Sequence, residues 1–334
     1  MNLTKYLEKS PFIICEIGSN WKNLDDCRRS IHLAKACGAD AVKFQAYDHK
    51  ALYGFPKLRY HDTDKLNWTT EEKMAGQLPL EWLQGLADKA NSIGIEFMCS
   101  AFSPEILLEV NKYVRIHKLA SSEMCHLRML ETLKALNKPT FISTGAQTLQ
   151  DIKRVVDFID DLPAVLMYCV AAYPARMIDL REIAFLENFF KMPIGYSCHS
   201  LDVLEIPNAA VEAGACVIEK HVNFVGVDSP DAPHSLSTYE FKAMVDRIRC
   251  VKQLESNSDT KESLPMILRH KRRLIAMRDI EEGEVLSEGV NFGIFRSLKD
   301  DTRAEHPFRA SKVQGMKAKR KIDQGDGIWF DDLI

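Results

Sequence analysis

The chain has 334 residues, 46% hydrophobic and 27% charged, with a formal net charge of -3 and no excess of Gly or Pro. That profile excludes a disordered or collagen-like chain, and mixed-sign charge without a basic stripe argues against nucleic acid as a partner. No apolar stretch approaches the roughly 20 residues of a membrane span, and residues 1–10 lack a secretory apolar core, so a cytoplasmic protein with no membrane partner is expected. The nine cysteines are odd in number and form no C-x-x-C pair. Cys15, Cys99, Cys169 and Cys216 sit in or beside apolar runs, as reduced thiols in a reducing compartment would.

Short apolar runs predict strands at 12–17, 41–45, 96–100, 116–119, 140–144, 165–169, 193–196 and 216–221. Amphipathic segments between them predict helices at 25–36, 80–93, 105–111, 127–136, 149–159 and 203–213, with a last one at 239–254. Strand-then-helix alternation implies a parallel sheet, and eight such units in residues 1–254 match a closed (β/α)8 TIM barrel of the α/β class. A doubly wound open sheet is the competing reading, but no Gly-rich phosphate loop follows the first strand. Ser19, Asn20 and Asn23 stand where a helix start needs capping groups, and Gly38, Gly94 and Gly214 where helices need a left-handed terminus. Residues 48–70 form a long irregular insertion in the second βα loop.

Residues 255–270 open on a polar ESNSDTKE stretch and read as a linker. Residues 271–334 carry a weak repeat, AMRDIEEGE (276–284) and AKRKIDQGD (318–326), which predicts a small β-rich domain of two glycine-turned units.

In a parallel barrel the C-terminal strand ends share one mouth. Those ends bring together Glu16, Lys43, Gln45, Ser100, Lys118, Ser143, Thr144, Tyr173, Ser197, His199 and His221. Glu16 has a plain alternative reading, pairing with Lys43 to close the barrel end. His199 and His221 lie on adjacent strands, and two imidazoles with a nearby carboxylate suit a divalent transition metal. Lys43, Lys118 and the hydroxyls suit a phosphate or carboxylate, and with no nucleotide loop the anion is a small phosphorylated acid.

The segments CEIGSN (15–20), GADAVKFQ (38–45), HKLASSE (117–123), ISTGAQT (142–148), YPARMIDL (173–180), GYSCHS (195–200) and VIEKHV (217–222) run in collinear order. Together they resemble the sialic acid synthase family, whose members make N-acetylneuraminate, legionaminate or pseudaminate. Residues 272–334 resemble its C-terminal antifreeze-like (SAF) domain. The resemblance implies condensation of phosphoenolpyruvate with an open-chain N-acetylmannosamine-like six-carbon amino sugar, releasing phosphate. It places His199 and His221 as ligands of Mn2+ or Mg2+. Lys43, Lys118, Ser100, Ser121, Ser143 and Ser197 fall on phosphoenolpyruvate-contacting positions. Glu16, Gln45, Tyr173, Asp231 and Ser235 fall at or near sugar-contacting ones, and Glu123 on a carboxylate beside the reacting centre. It further implies a domain-swapped homodimer in which Arg296 reaches the partner's barrel.

The chain departs from the family pattern at Trp21, where histidine is common, at Cys198 in Ser-Cys-His, at Val170 and Ala171, and in the Arg296-Ser-Leu-Lys-Asp loop. These departures leave two alternatives open: a related barrel aldolase or synthase for another sugar, and a non-catalytic sugar- or phosphoenolpyruvate-binding relative.

Overall fold

A computed structural model describes residues 3–8, 11–49, 52, 74, 76–256, 271–296 and 303–334, with the backbone alone for 252–256. All eight expected strands form: β1 (Phe12–Glu16), β2 (Ala41–Ala46), β3 (Glu96–Ala101), β4 (His117–Leu119), β5 (Thr140–Ser143), β6 (Ala164–Tyr168), β7 (Ile194–Cys198) and β8 (Val217–His221). They pair in parallel, in chain order, and β8 returns to β1 to close the barrel. The open doubly wound sheet is thereby excluded.

One parity of residues lines the inside of this barrel. Its lower level is apolar: Phe12, Ile14, Ala41, Met98, Ile116, Phe141, Val165, Met167 and Val217 form one buried cluster. Tyr6, on the short helix α1 (Thr4–Leu7), stands edge-on against Phe12 at 5.8 Å and extends the cluster. On β7 the inward position is Gly195, where a Cβ would lie 2.4 Å from Met167 Sδ, so the level is full without a side chain there. Two residues higher the same parity turns polar, and the mouth begins.

The other parity packs under the helices: α2 (Leu24–Ala36), α3 (Leu83–Ser92), α4 (Pro104–Val110), α5 (Leu127–Leu136), α6 (Leu149–Phe158), α7 (Arg181–Phe190), α8 (Glu205–Glu212) and α9 (Thr238–Ser256). The start of α2 falls to Asn23, whose side chain accepts from the Asp26 N–H. Gly38, Gly94 and Gly214 adopt positive φ at helix ends, as expected. Helix α7 is absent from the sequence reading, although Ile183 and Leu186 form its buried stripe; no side chain caps its start at Leu180, and Phe185 and Phe189 stay exposed.

Two compact units result, Met1–Val251 and Lys252–Ile334. Helix α9 takes in Glu255 and Ser256, and the rest of the expected linker lies outside the described residues, as does most of the 48–70 insertion. In the second unit β9 (Arg272–Ala276) pairs antiparallel with β10 (Phe292–Arg296), and a short helix, α10 (Ala310–Val313), packs into the same core. Its two repeat copies pair with each other around Ile280 and Ile322, which exchange backbone bonds of 2.8 and 2.9 Å. Ala276 bonds Gly325 and Asp326, while Ala318 bonds Gly283 and Glu284. The repeat is therefore a two-fold pairing of like segments rather than two separate hairpins.

Candidate active site

Above the apolar level, charges replace hydrocarbon. Glu16 is fully buried; its Oε2 pairs with Lys43 Nζ at 2.7 Å and its Oε1 accepts from Gln45 Nε2 at 2.5 Å. From β8, Glu219 Oε1 lies 3.4 Å from Lys43 Nζ and 3.9 Å from Lys118 Nζ, and accepts from Ser197 Oγ at 3.2 Å. Lys43 donates to Ser100 Oγ at 3.1 Å and Lys118 to Ser143 Oγ at 2.7 Å.

Burial pushes each of these groups toward its neutral form, and the neighbours decide which yields. Desolvation acts on Lys43, yet Glu16 and Glu219 together hold its pKa above the ordinary lysine value. Lys118, whose ion pair with Glu219 is long, is left with desolvation dominant and a lowered pKa. Glu16 is raised by desolvation against the opposing Lys43 charge. For Glu219 desolvation is outweighed by Lys118 and Lys43, and its carboxyl is held low. Lys43 is thus committed to protein carboxylates, while Lys118 stands to gain most from an arriving anion.

Four aromatic rings crowd the other side of the mouth. Tyr173 lies 4.3 Å from His199 and 4.9 Å from His234, and His221 lies 5.8 Å from His199 and 4.6 Å from His234, between ring centroids. His199 donates through Nδ1 to the Val170 carbonyl at 2.8 Å, which leaves Nε2 as its available nitrogen. Burial lowers the pKa of His199 to about 4 and that of His221 well below the usual value, so both are neutral ligand-type imidazoles near pH 7. Nδ1 of His221 and both ring nitrogens of His234 are buried without a hydrogen-bond partner. Together with the Asp231 carboxylate this donor set fits a divalent metal.

Asp231 is placed by the first βα loop: its Oδ2 accepts from the Ser19 N–H at 2.6 Å and Ser19 Oγ at 2.9 Å. Gly18 makes this possible. It sits at φ +55°, and a Cβ there would lie 2.1 Å from Asp231 Oδ2. Asn20, fully buried, donates to the Val222 carbonyl and Ser235 Oγ and accepts from Ser229 Oγ. Ser19 and Asn20 therefore tie the loops after β1 and β8 together, and do not cap a helix.

These groups frame a cavity of about 350 Å³. Lys43, Gln45, Ser100, Lys118, Ser121, Ser143, Tyr173, Ser197, His199, His221 and Asp231 are all in its wall, as the strand-end and family readings expect. A second chamber of about 220 Å³ shares Gln45, Phe102 and Asp231 with it and is otherwise walled by residues such as Tyr47 and Pro230. Five expected residues stand elsewhere. Thr144 is buried after β5, its hydroxyl donating to the Met167 carbonyl at 3.3 Å. Glu16 lies behind the wall, its two oxygens taken by Lys43 and Gln45, which is the plain barrel-closing role. Glu123 is buried in the turn after β4, one position past the wall residue Ser122. The Ser235 hydroxyl is spent between Asn20 and the Asp231 carbonyl. Arg296 is exposed at the end of β10 in the second unit.

The strand-end inventory missed Glu219, which lies two residues before the end of β8, and His234, which lies in a loop. For Glu219 the signal was present: in VIEKHV a carboxylate alternates with His221 on one face of a strand. Among the family departures, Ala171 is in the cavity wall and Val170 holds His199 through its carbonyl, whereas Trp21 and Cys198 lie off the wall. Trp21 donates to the Gly18 carbonyl and packs edge-on against Trp82 at 5.6 Å. Cys198 is fully buried on the helix side of β7, against Lys220 and Ser200.

A closed parallel barrel whose mouth holds lysines, hydroxyls and neutral imidazoles defines a class, the (β/α)8 barrels with a polar cavity at the C-terminal strand ends. The NeuB family model matches residues 30–260, and the chain belongs to that family. It is 31% identical to the N,N'-diacetyllegionaminic acid synthase of Legionella pneumophila, over 83% of each chain. It is also 31% identical to a pseudaminic acid synthase of Campylobacter jejuni, over 98% of this chain and 97% of that one. The crystal structure of an N-acetylneuraminic acid synthetase from Leptospira borgpetersenii superposes with a TM-score of 0.67 at 26% identity, over 77% of this chain and 91% of that one.

Proposed function

We propose that the protein is a nonulosonic acid synthase, condensing phosphoenolpyruvate with an open-chain N-acylated six-carbon amino sugar and releasing phosphate. The observation that carries this is the pair of buried lysines, Lys43 and Lys118, set with Ser100, Ser143 and Ser197 opposite the imidazoles in one cavity. Phosphoenolpyruvate presents a carboxylate and a phosphate on a small carbon frame, and two cations with hydroxyl donors complement both.

Lys118 and Ser143 would bind one anionic end, and Ser121 and Ser197 would add donors around it. Gln45, Tyr173 and Asp231 would hold the sugar where the two chambers meet. The C3 carbon of phosphoenolpyruvate then forms a bond to the aldehyde carbon. Water adds at C2, and the C2–O bond to phosphate breaks, leaving a 2-keto acid. A divalent cation, Mn2+ or Mg2+, held by His199 and His221 as the resemblance implies, would polarise the aldehyde oxygen. Glu123 is the proton-transfer group by resemblance; Glu219 is the carboxylate that geometry favours, since it lines the cavity and its Oε2 has no hydrogen-bond partner.

The second unit is read as an antifreeze-like (SAF) domain delivering Arg296 across a domain-swapped homodimer. The decisive test measures phosphate release from phosphoenolpyruvate with Mn2+ across a panel of six-carbon sugars, with products identified by mass. Phosphate release with a product heavier than the sugar by a pyruvate unit supports the synthase. Pyruvate use without phosphate release would make it an aldolase, and binding without turnover at any metal would make it a non-catalytic relative.

A further inference from the structure

Lys220 and Cys198 are both fully buried on the helix side of the barrel, and stand in register on the adjacent strands β8 and β7. Among the described residues the Lys220 ammonium meets Cys198 Sγ at 3.2 Å, the Asp202 carbonyl at 3.3 Å, Ser200 Oγ at 3.4 Å and the Ser200 carbonyl, and no carboxylate pairs with it. A buried cation without a counter-charge is costly, and these partners all come from the end of β7 and the loop after it. Cys198 Sγ also lies 3.1 Å from Ser200 Oγ. No other cysteine sulfur has a hydrogen bond to a lysine among the described residues; those that are bonded meet carbonyl or amide groups. The next residues along the two strands are His199 and His221.

We propose that Cys198 and Lys220 form a redox modification site, joined under peroxide by a covalent S–O–N bridge between β7 and β8. A single oxygen fills most of the 3.2 Å gap, whereas a direct S–N bond would leave far more to close. The step balances with two molecules of hydrogen peroxide. The first transfers an oxygen to Cys198 Sγ, giving a sulfenic acid and one water. The ammonium gives a proton to solvent. As the sulfenic oxygen bonds to Lys220 Nζ, its O–H bond and one N–H bond break. The second peroxide takes up those two electrons and two hydrogens, and two waters leave. A buried thiol without a basic neighbour is inert to mild oxidants, and here the neighbour is in contact. The covering loop carries the exposed Leu201 and Leu204, so its local opening admits a molecule as small as peroxide. Bridging removes the positive charge and leaves Nζ one N–H where it had three. The Ser200 and Asp202 carbonyls then lose donors, and the turn that carries His199 loses its anchor. The bridge itself is independent of the proposed function; its effect on turnover rests on that reading.

The test treats the full chain with hydrogen peroxide and maps it by trypsin digestion and mass spectrometry, with and without dithiothreitol. Residues 192–220 make one tryptic peptide, which holds both Cys198 and Lys220. A bridged Lys220 resists trypsin, so the expected product is the peptide 192–242, heavier by about 14 Da for one oxygen gained and two hydrogens lost. Dithiothreitol should restore cleavage at Lys220 and the native mass. Cys198→Ser should give none of this product although Cys216 remains in the same peptide. Lys220→Arg, which keeps the charge, should leave Cys198 without a bridge and serves as the second variant. Phosphate release should fall about tenfold or more as the bridge forms and recover with dithiothreitol, in wild type but not in Cys198→Ser. Free cleavage at Lys220 throughout, or Cys198 carried only to sulfinic or sulfonic acid, would overturn the bridge. A bridge that leaves phosphate release unchanged would overturn its control of turnover. A chain that bridges but releases no phosphate even before peroxide would count against the proposed function alone.

Discussion

Glu219 Oε1 lies 3.4 Å from the Lys43 ammonium, deep in the barrel, while Glu219 Oε2 has no hydrogen-bond partner. A carboxylate so placed has one oxygen held by Lys43 and Ser197 and a second that is buried without a hydrogen-bond partner. Neutralising it as Glu219→Gln keeps its shape and removes its proton-accepting capacity. Steady-state phosphate release should fall by about 10²-fold or more, the usual contribution of a positioned acid–base group. Glu123→Gln, outside the cavity wall, is expected to stay within about tenfold of wild type, well short of that acid–base effect. The reverse order of effects would return the proton-transfer role to Glu123.

The two lysines should separate by what they lose. Lys43→Met strips Glu16 and Glu219 of their shared cation and leaves buried carboxylates uncompensated, which costs about 3–5 kcal/mol of stability. Lys118→Met removes a cation whose own desolvation was unfavourable and leaves Glu219 its shorter pair with Lys43, so urea denaturation should shift less. Its cost should appear in phosphoenolpyruvate affinity, about tenfold or more by calorimetry for one lost charge-assisted contact. Equal stability losses in both variants would contradict the division of labour between them.

How much of this was legible beforehand follows from the physics of each part. The strands were readable because a barrel strand is a short apolar run closed by glycine-bearing turns, and both parities of every strand are buried. The mouth was readable because polar residues at strand ends are expensive anywhere else. Three things were hidden. Helix α7 carries its apolar stripe at Ile183 and Leu186 but lacks the capping side chain that marks a helix start, since Leu180 stands at its N-cap. Ser19 and Asn20 sit where helix caps sit, and only the fold shows that they bond across to Asp231 and Ser235 more than 200 positions away. His234 gave no signal, because a histidine in a loop is indistinguishable from a solvated one until the loop is folded over the mouth.

The swapped-dimer reading makes its own prediction. Arg296→Ala and Lys118→Ala should each be poorly active alone. If the second unit serves the partner's barrel, mixed dimers contain one barrel with both its own Lys118 and a neighbouring Arg296. Co-refolding equal amounts should then restore a substantial fraction of phosphate release, about a quarter of wild type if one barrel of every mixed dimer is whole and the subunits mix randomly. Activity no greater than the sum of the two variants would place Arg296 outside the partner's site.

A last prediction concerns the closed end of the barrel rather than its mouth. His117 opens β4, is fully buried, and shares a 3.1 Å hydrogen bond between Nε2 and Asn111 Oδ1. Burial, assisted by the Lys138 charge, lowers its pKa from 6.5 to about 4. Above about pH 6.5 the ring is neutral in both folded and unfolded chains, and its stabilising contribution is intact. As pH falls below that value the unfolded chain takes up a proton that the folded barrel refuses, so stability drains away until the folded ring also protonates near pH 4. The full loss is about 3 kcal/mol. His199 and His221 act on the same acid limb, so the comparison must isolate one ring. Urea denaturation of wild type and His117→Gln between about pH 7 and pH 4 does so, because glutamine can keep the bond to Asn111 but has no proton to gain. The variant should lose about 3 kcal/mol less than wild type across the range, and parallel curves would show that His117 protonates in the folded barrel as freely as in water.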